Sequence, residues 1–287
     1  MSYTTLISAA ELADHLTDPD WVIVDTRFAL TDTEAGRRAY QAGHIPGAVY
    51  AHLDEDLSGP IIPGQTSRHP LPDIDTFAQT LSRWGVGQGV QVVVYDSMGG
   101  IIAGRLWWML RWLGHDQAAV LDGGWPQWAA AGQSSQIATP TPTPRTFSPQ
   151  PRPEMLAPLE QVGAIGQDPT QKLIDCRAYN RYRGEGETLD PVAGHIPGAI
   201  CMPVTENLAT NGRFRPANEL RQRFEAALGD LKPEQAVFYC GSGVSAAHNL
   251  LALAHLGLDG SRLYVGSWSE WIIDPARPVA TEDEGQA

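Results

Sequence analysis

The sequence predicts an α/β protein built from two similar domains, each a central, mostly parallel sheet flanked by helices. Three observations carry that expectation. Short apolar runs ending in a polar residue alternate with segments of helical period. The second half repeats motifs of the first in the same order. A proline-rich stretch divides the halves.

Ser8-Ala-Ala-Glu11 has capping-box spacing, so a short helix should follow Ser8. Trp21-Val-Ile-Val-Asp25 is apolar and ends on a carboxylate, the pattern of a buried strand. Gly43-His-Ile-Pro-Gly-Ala-Val-Tyr50 reads as a turn entering another short strand. Residues 73–84 carry apolar side chains at Ile74, Phe77, Leu81 and Trp84, one face of a helix. Val90–Asp96 is a strand, residues 99–113 a broad-faced helix, and Ala118–Asp122 a strand leading to Gly123-Gly-Trp-Pro-Gln-Trp128. Between residues 136 and 157 the prolines remove backbone donors and hold the chain extended, so this is a semi-stiff linker. The expected domains are therefore residues 1–135 and 158–287.

The repeat is specific. Asp25-Thr-Arg27 matches Asp175-Cys-Arg177, and Gly43–Ala48 is identical to Gly194–Ala199. Val94-Tyr-Asp96 matches Phe238-Tyr-Cys240, and Leu121–Trp128 matches Tyr264–Trp271. The offsets are 150, 151, 144 and 143, a small drift over half the chain. Asp96 and Cys240 thus occupy the same loop, and only the second carries a nucleophile. The Gly-His-Ile-Pro-Gly turns and the paired tryptophans occur in both halves, so they read as structural.

The run Ala236-Val-Phe-Tyr-Cys240-Gly-Ser-Gly-Val-Ser245 places a cysteine between a strand and a helix N-terminus, which favours thiolate over thiol. Gly241 and Gly243 let the loop curl its N–H groups inward as an anion cradle, able to hold a thiolate or a persulfide. Cysteine phosphatases need an arginine six residues after the cysteine; here that residue is Ala246. Cys176 and Cys201 lie in or beside strands without a cradle and read as packing residues.

The totals narrow the function. The chain has 287 residues and a net charge of 20 − 33 = −13, which argues against nucleic acid and requires any anion site to be local. Three cysteines form no disulfide framework and no zinc-ligand spacing, and free thiols suit a reducing, cytoplasmic location. Residues 1–5 show no basic region before an apolar run, so no signal peptide is expected. The apolar stretch at 101–113 holds Arg105 and Arg111 and is too short to span a bilayer. No metal or organic cofactor is expected.

With the paired Gly-His-Ile-Pro-Gly-Ala turns, Asp175-Cys-Arg177, the Gly-x-Trp-x-x-Trp motifs and the Cys240 loop, the chain resembles the two-domain rhodanese sulfurtransferases over nearly its whole length. The resemblance implies a non-catalytic first domain with Asp96 in place of cysteine, and a catalytic second one. It implies that Cys240 accepts sulfane sulfur as a persulfide and passes it to a thiol, thioredoxin or cyanide. Cys-Gly-Ser-Gly-Val-Ser looks like the 3-mercaptopyruvate branch, in which Ser242, His69 and Asp54 would form a proton relay. Gly241, Gly243, Val244 and Ser245 would line the substrate, and Arg181 would grip its anionic end. That branch has a second arginine nine residues after Arg181; this chain has Asp190, a choice shared with thiosulfate enzymes. Thiosulfate:cyanide transfer, or a non-catalytic persulfide carrier, are the alternatives.

Overall fold

The computed structural model describes residues 2–281; Met1 and residues 282–287, the end of the expected second domain, lie outside the described residues. The described chain falls into two compact units. One comprises residues within Met1–Gly59, Leu71–Arg152 and Leu208–Phe214, and the other residues within Pro60–Pro70, Pro153–Asn207 and Arg215–Ala287. Two short segments therefore belong to the unit of the opposite sequence half, and residues 60–70 bring His69 into the second unit.

The first unit runs β1 (Leu6–Ile7), α1 (Ala9–Ala13), β2 (Trp21–Asp25), α2 (Ala35–Ala42), β3 (Val49–Tyr50), α3 (Ile74–Arg83), β4 (Gln91–Tyr95), α4 (Ala103–Trp112), β5 (Ala118–Leu121) and α5 (Gly124–Ala130). Its sheet order is β1-β5-β4-β2-β3, with every pair parallel. Ser8 and Glu11 form the expected capping box. α4 begins four residues later than its apolar pattern suggests. The N–H groups of Gly100, Ile102 and Ala103 turn instead to the Asp96 carboxylate. The proline-rich segment runs along this unit: Arg145 N–H donates to the Ser82 carbonyl, and Gln150 N–H to that of Leu113.

The second unit runs α6 (Leu159–Gln167), β6 (Lys172–Asp175), α7 (Tyr179–Tyr182), β7 (Ile200–Cys201), α8 (Ala217–Leu228), β8 (Ala236–Tyr239), α9 (Ala246–His255), β9 (Arg262–Leu263) and α10 (Ser267–Trp271). Its order β7-β6-β8-β9, again all parallel, reproduces β3-β2-β4-β5. Leu156 bridges Leu263 in parallel, at the edge where β1 stands in the first unit.

The twin motifs hold equivalent positions. Arg27 clamps Asp25 in a bidentate pair, donates to the Gly43 carbonyl 2.7 Å away, and lies over Trp125. Arg177 does the same with Asp175, the Gly194 carbonyl and Trp268. Each ion pair is buried and held in fork geometry. His44 stacks on Tyr40 and His195 on Tyr182, each with Nδ1 at 2.8 Å from its partner's carbonyl oxygen. The turns are structural, as their presence in both halves implies. Tyr95 and Trp128 sit in one core, Tyr239 and Trp271 in the other. Among the described residues no helix is long and apolar enough to cross a membrane.

Candidate active site

A buried strand, β8, delivers Cys240 to the C-terminal edge of its sheet, and α9 starts six residues later. In parallel α/β sheets this edge is where loops gather into a site. Gly243 adopts φ +75°, and a Cβ there would lie 2.1 Å from the Val265 carbonyl oxygen, so only glycine completes the curl. Burial pushes the Cys240 thiol up. The Ser245 hydroxyl and the N–H groups of Ser242, Ala246 and Gly243 oppose this by hydrogen bonding to the sulfur, and the net result is a thiol below its ordinary range.

The reactivity of Cys240 as a nucleophile should therefore climb with pH as its thiol ionises and level off above its lowered pKa. Ser245→Ala removes the largest of the opposing hydrogen bonds. Its kcat/KM–pH profile, or its rate of alkylation by iodoacetamide, is expected to show the rising limb displaced to higher pH. An unmoved limb would mean that the hydroxyl does not stabilise the thiolate.

The first unit displays what such a loop is built to hold. Asp96, in the position of Cys240, is fully buried. One carboxylate oxygen accepts from Met98 and Gly100 N–H at 2.8 and 2.9 Å, the other from Ile102 and Ala103 at 2.7 and 3.0 Å. Four inward N–H groups surround one negative charge, an anion nest filled from within the chain.

The back of the Cys240 loop is tied to α10. Trp268 N–H donates to the Cys240 carbonyl at 3.0 Å and Ser269 N–H to that of Gly241 at 2.9 Å. Cys240 N–H donates to Ser267 Oγ at 3.1 Å, and that hydroxyl donates to the Tyr264 carbonyl at 2.9 Å. Ser267 has φ 56°, the sole non-glycine residue at positive φ among those described, while its repeat partner Gly124 has φ 60°. A left-handed serine costs about 1 kcal/mol or more, a strain that sits here directly behind Cys240.

His69 and Ser242, both buried, face each other with Nδ1 and Oγ 2.7 Å apart. Arg68 anchors this segment, its N–H donating to Ser269 Oγ at 3.1 Å. Its guanidinium pairs with Asp190. Arg181 reaches the other Asp190 oxygen at 2.8 Å and Glu187 at 2.8 Å. A Cβ on Gly241 would lie 2.8 Å from Arg68 Nη2 and 3.5 Å from Arg181 Nη1, so both guanidinium groups stand against the residue next to Cys240. Burial lowers the Arg68 pKa, the neighbouring Arg181 charge adds to this, and the Cys240 charge opposes it.

The second unit thus brings together Cys240, Gly241, Ser242, Gly243, Val244, Ser245, His69 and Arg181. Asp54 belongs to the first unit and is itself exposed in the loop after β3, where partial desolvation raises the pKa of its carboxyl. Cys176 is buried and accepts from Asn249 Nδ2 at 3.2 Å; burial and the Cys240 charge push its thiol well up. Trp268 and Trp271 are core residues. In the first unit Glu34, His52 and Glu55 approach one another, but Arg37 pairs with both carboxylates and makes them a surface salt-bridge cluster.

Sequence reasoning missed three residues. Arg68 adjoins His69 and was open to the same scrutiny. Ser267 aligns with Gly124, a mismatch of residue type at one backbone position that signals strain. Glu187, six residues after Arg181 in a polar stretch, carries no local sign of the burial that leaves its side chain 3% exposed.

The profile of the rhodanese-like domain matches residues 8–131 and again 159–274. A Pseudomonas aeruginosa protein named "Probable 3-mercaptopyruvate sulfurtransferase" is 49% identical over 284 residues, spanning 99% of this chain and 100% of its own. A Mycobacterium tuberculosis protein, provisionally named a thiosulfate sulfurtransferase, is 40% identical over 286 residues, 96% of each chain. Among solved structures, SseA from Escherichia coli, described as a 3-mercaptopyruvate sulfotransferase, superimposes with a TM-score of 0.80 at 33% identity, covering 93% of this chain and 100% of that one.

Proposed function

The chain belongs to the rhodanese family, with two rhodanese-like domains in tandem, and we propose that it is a sulfurtransferase that takes sulfane sulfur from 3-mercaptopyruvate through a persulfide on Cys240. The duplicated domains span residues 1–135 and 158–287. The Cys240 thiolate attacks the donor sulfur, and the donor's carbon–sulfur bond breaks. Its electron pair passes to the enolate of pyruvate, which takes up a proton. The persulfide stays in the loop, held by the N–H groups of residues 241–245. A thiol, a reduced thioredoxin or cyanide then attacks the outer sulfur and restores the thiolate, a double displacement. Three free cysteines suit a cytoplasmic setting.

One observation carries the choice of donor: the buried Ser242–His69 pair beside the nucleophile. An enolate is a basic leaving group and gains from a proton delivered as the bond breaks. Thiosulfate expels sulfite, which needs none. Ser242 and His69 form the relay to the enolate. Arg181, with Arg68 beside it, receives the donor carboxylate.

The test compares kcat/KM for both donors in the wild type and in Ser242→Ala. Mercaptopyruvate is expected to be the better substrate. Its kcat in the variant should fall by roughly 10²-fold, the usual contribution of a positioned proton donor, while thiosulfate turnover stays within a few-fold. Equal losses with both donors would remove the relay; a wild-type preference for thiosulfate would remove the donor assignment. Thiosulfate remains the second reading because two guanidinium forks beside Gly241 also suit its oxygens.

A further inference from the structure

We propose that Ser267 is a positioning residue: held in a left-handed backbone that glycine would adopt without strain, it offers its hydroxyl to the Cys240 N–H and so fixes the sulfur at the focus of the loop's N–H groups. The inference rests on the reading of Cys240 as the sulfur-accepting nucleophile.

The serine stands where the repeat has a glycine. In the first unit Gly124, at φ 60°, turns the Trp125 N–H onto the Asp96 carbonyl at 2.8 Å. A Cβ on Gly124 would lie 2.2 Å from that carbonyl oxygen, so no side chain fits there. Ser267, at φ 56°, turns the Trp268 N–H onto the Cys240 carbonyl in the same way, at 3.0 Å, yet carries a side chain. The turn is rebuilt one residue earlier: Gly123 has φ 80°, its counterpart Gly266 φ −61°. The second unit thus bears a strained residue at a point where glycine serves the backbone alone. What the serine adds is one hydroxyl, on a fully buried residue.

That hydroxyl reaches Cys240 from behind. Oγ accepts the Cys240 N–H at 3.1 Å, donates to the Tyr264 carbonyl at 2.9 Å and lies 4.0 Å from Sγ. With the Trp268 N–H on its carbonyl, Cys240 has both backbone polar groups gripped by the start of α10, on either side of the Cα that bears the sulfur. The groups that favour the thiolate sit on the other side of the residue, in the loop that follows: the Ser245 hydroxyl and the N–H groups of Ser242, Gly243 and Ala246. Hydrogen bonds weaken steeply as distance and angle depart from their optimum, so these donors act fully only on a sulfur held in place. Ser267 is the fixed end of that arrangement. Asp96, gripped by four N–H groups through two carboxylate oxygens, has no such need, and its unit keeps the glycine.

Two variants separate the hydroxyl from the strain. Ser267→Gly removes both; Ser267→Ala removes the hydroxyl and keeps the left-handed side chain. The measurement is the pH profile of Cys240 alkylation by iodoacetamide, resolved at that residue by peptide mass. Both variants are expected to move the rising limb up by about one pH unit, the size of roughly one hydrogen bond to sulfur, with alkylation about tenfold slower on the limb and an unchanged plateau at high pH. Arg68, Arg181, His69 and Cys176, which stand around the loop, are the same in every variant. Hydrogen exchange along β8 and α10 should instead divide the two, being faster in the alanine variant, which retains the strain. If the alanine variant is too unstable to assay, glycine alone decides, since it suits the backbone. A glycine variant with the wild-type limb would make the hydroxyl dispensable and overturn the proposal. So would a limb displaced in the alanine variant only, which would trace the effect to strain. A wild-type limb in the ordinary thiol range would remove the reading of Cys240, and the proposal with it; Ser267 itself is judged on the change between variant and wild type.

Discussion

Replacing Cys240 by serine is expected to abolish sulfur transfer from either donor while the second unit stays folded. The substitution removes one large atom and keeps a group that can occupy the same nest of N–H donors, at a site 2% exposed. Packing should change by about 1 kcal/mol or less, in the range of near-isosteric core substitutions. Chemistry is another matter. Ser245 and the N–H groups of Ser242, Gly243 and Ala246 lower a thiol from its ordinary range; a hydroxyl ionises far less readily, and the sulfur–sulfur bond of a persulfide cannot form on oxygen. The loss should reach about 10⁴-fold or more, as for other nucleophile deletions. Two measurements check it. Steady-state rates with mercaptopyruvate and thiosulfate should fall to background. Intact mass after donor treatment should show one added sulfur on the wild type and none on the variant. Retention of that added sulfur would move the nucleophile to another cysteine. Cys176 is a poor candidate, since its thiol is pushed up and accepts from Asn249.

The geometry of the Cys240 loop was legible because everything that marks it is local. A strand, a cysteine, two glycines and a helix start lie within a dozen residues, and the repeat supplied Asp96 as an internal control. The twin Asp-x-Arg and Gly-His-Ile-Pro-Gly motifs were legible as structure for the same reason, and Arg27 and Arg177 fill identical roles. The pairing of Asp190 was not legible: it depends on Arg68, 122 residues earlier, which joins the second unit through the 60–70 segment. No periodicity records such a placement. The late start of α4 has a related cause: its apolar face extends back to residue 99, but Asp96 competes for the first N–H groups and wins. The prolines of the linker declared an extended chain, yet the donors that fasten it, such as Arg145 N–H to the Ser82 carbonyl, are set by tertiary packing.

Asp96→Ala should show how strongly this loop architecture demands an anion. The change deletes a fully buried carboxylate and strands the N–H groups of Met98, Gly100, Ile102 and Ala103 around an empty nest. Charge-assisted hydrogen bonds are about twice as strong as neutral ones, and their donors would be left desolvated, so the first unit should lose roughly 3–5 kcal/mol. Asp96→Asn offers little relief. Its carbonyl oxygen can satisfy two of the donors, but its amide nitrogen then points N–H groups at the other two. Two compact units make a single unfolding free energy ill defined, so the measurement should be residue-resolved. Hydrogen exchange is expected to accelerate at those four amides and along β4 and α4, while donor treatment still adds sulfur to Cys240 in the second unit. Unchanged protection would mean that the nest does not depend on its charge. It would then weaken the same argument for the Cys240 loop, where the thiolate and later the persulfide take the place that Asp96 fills permanently.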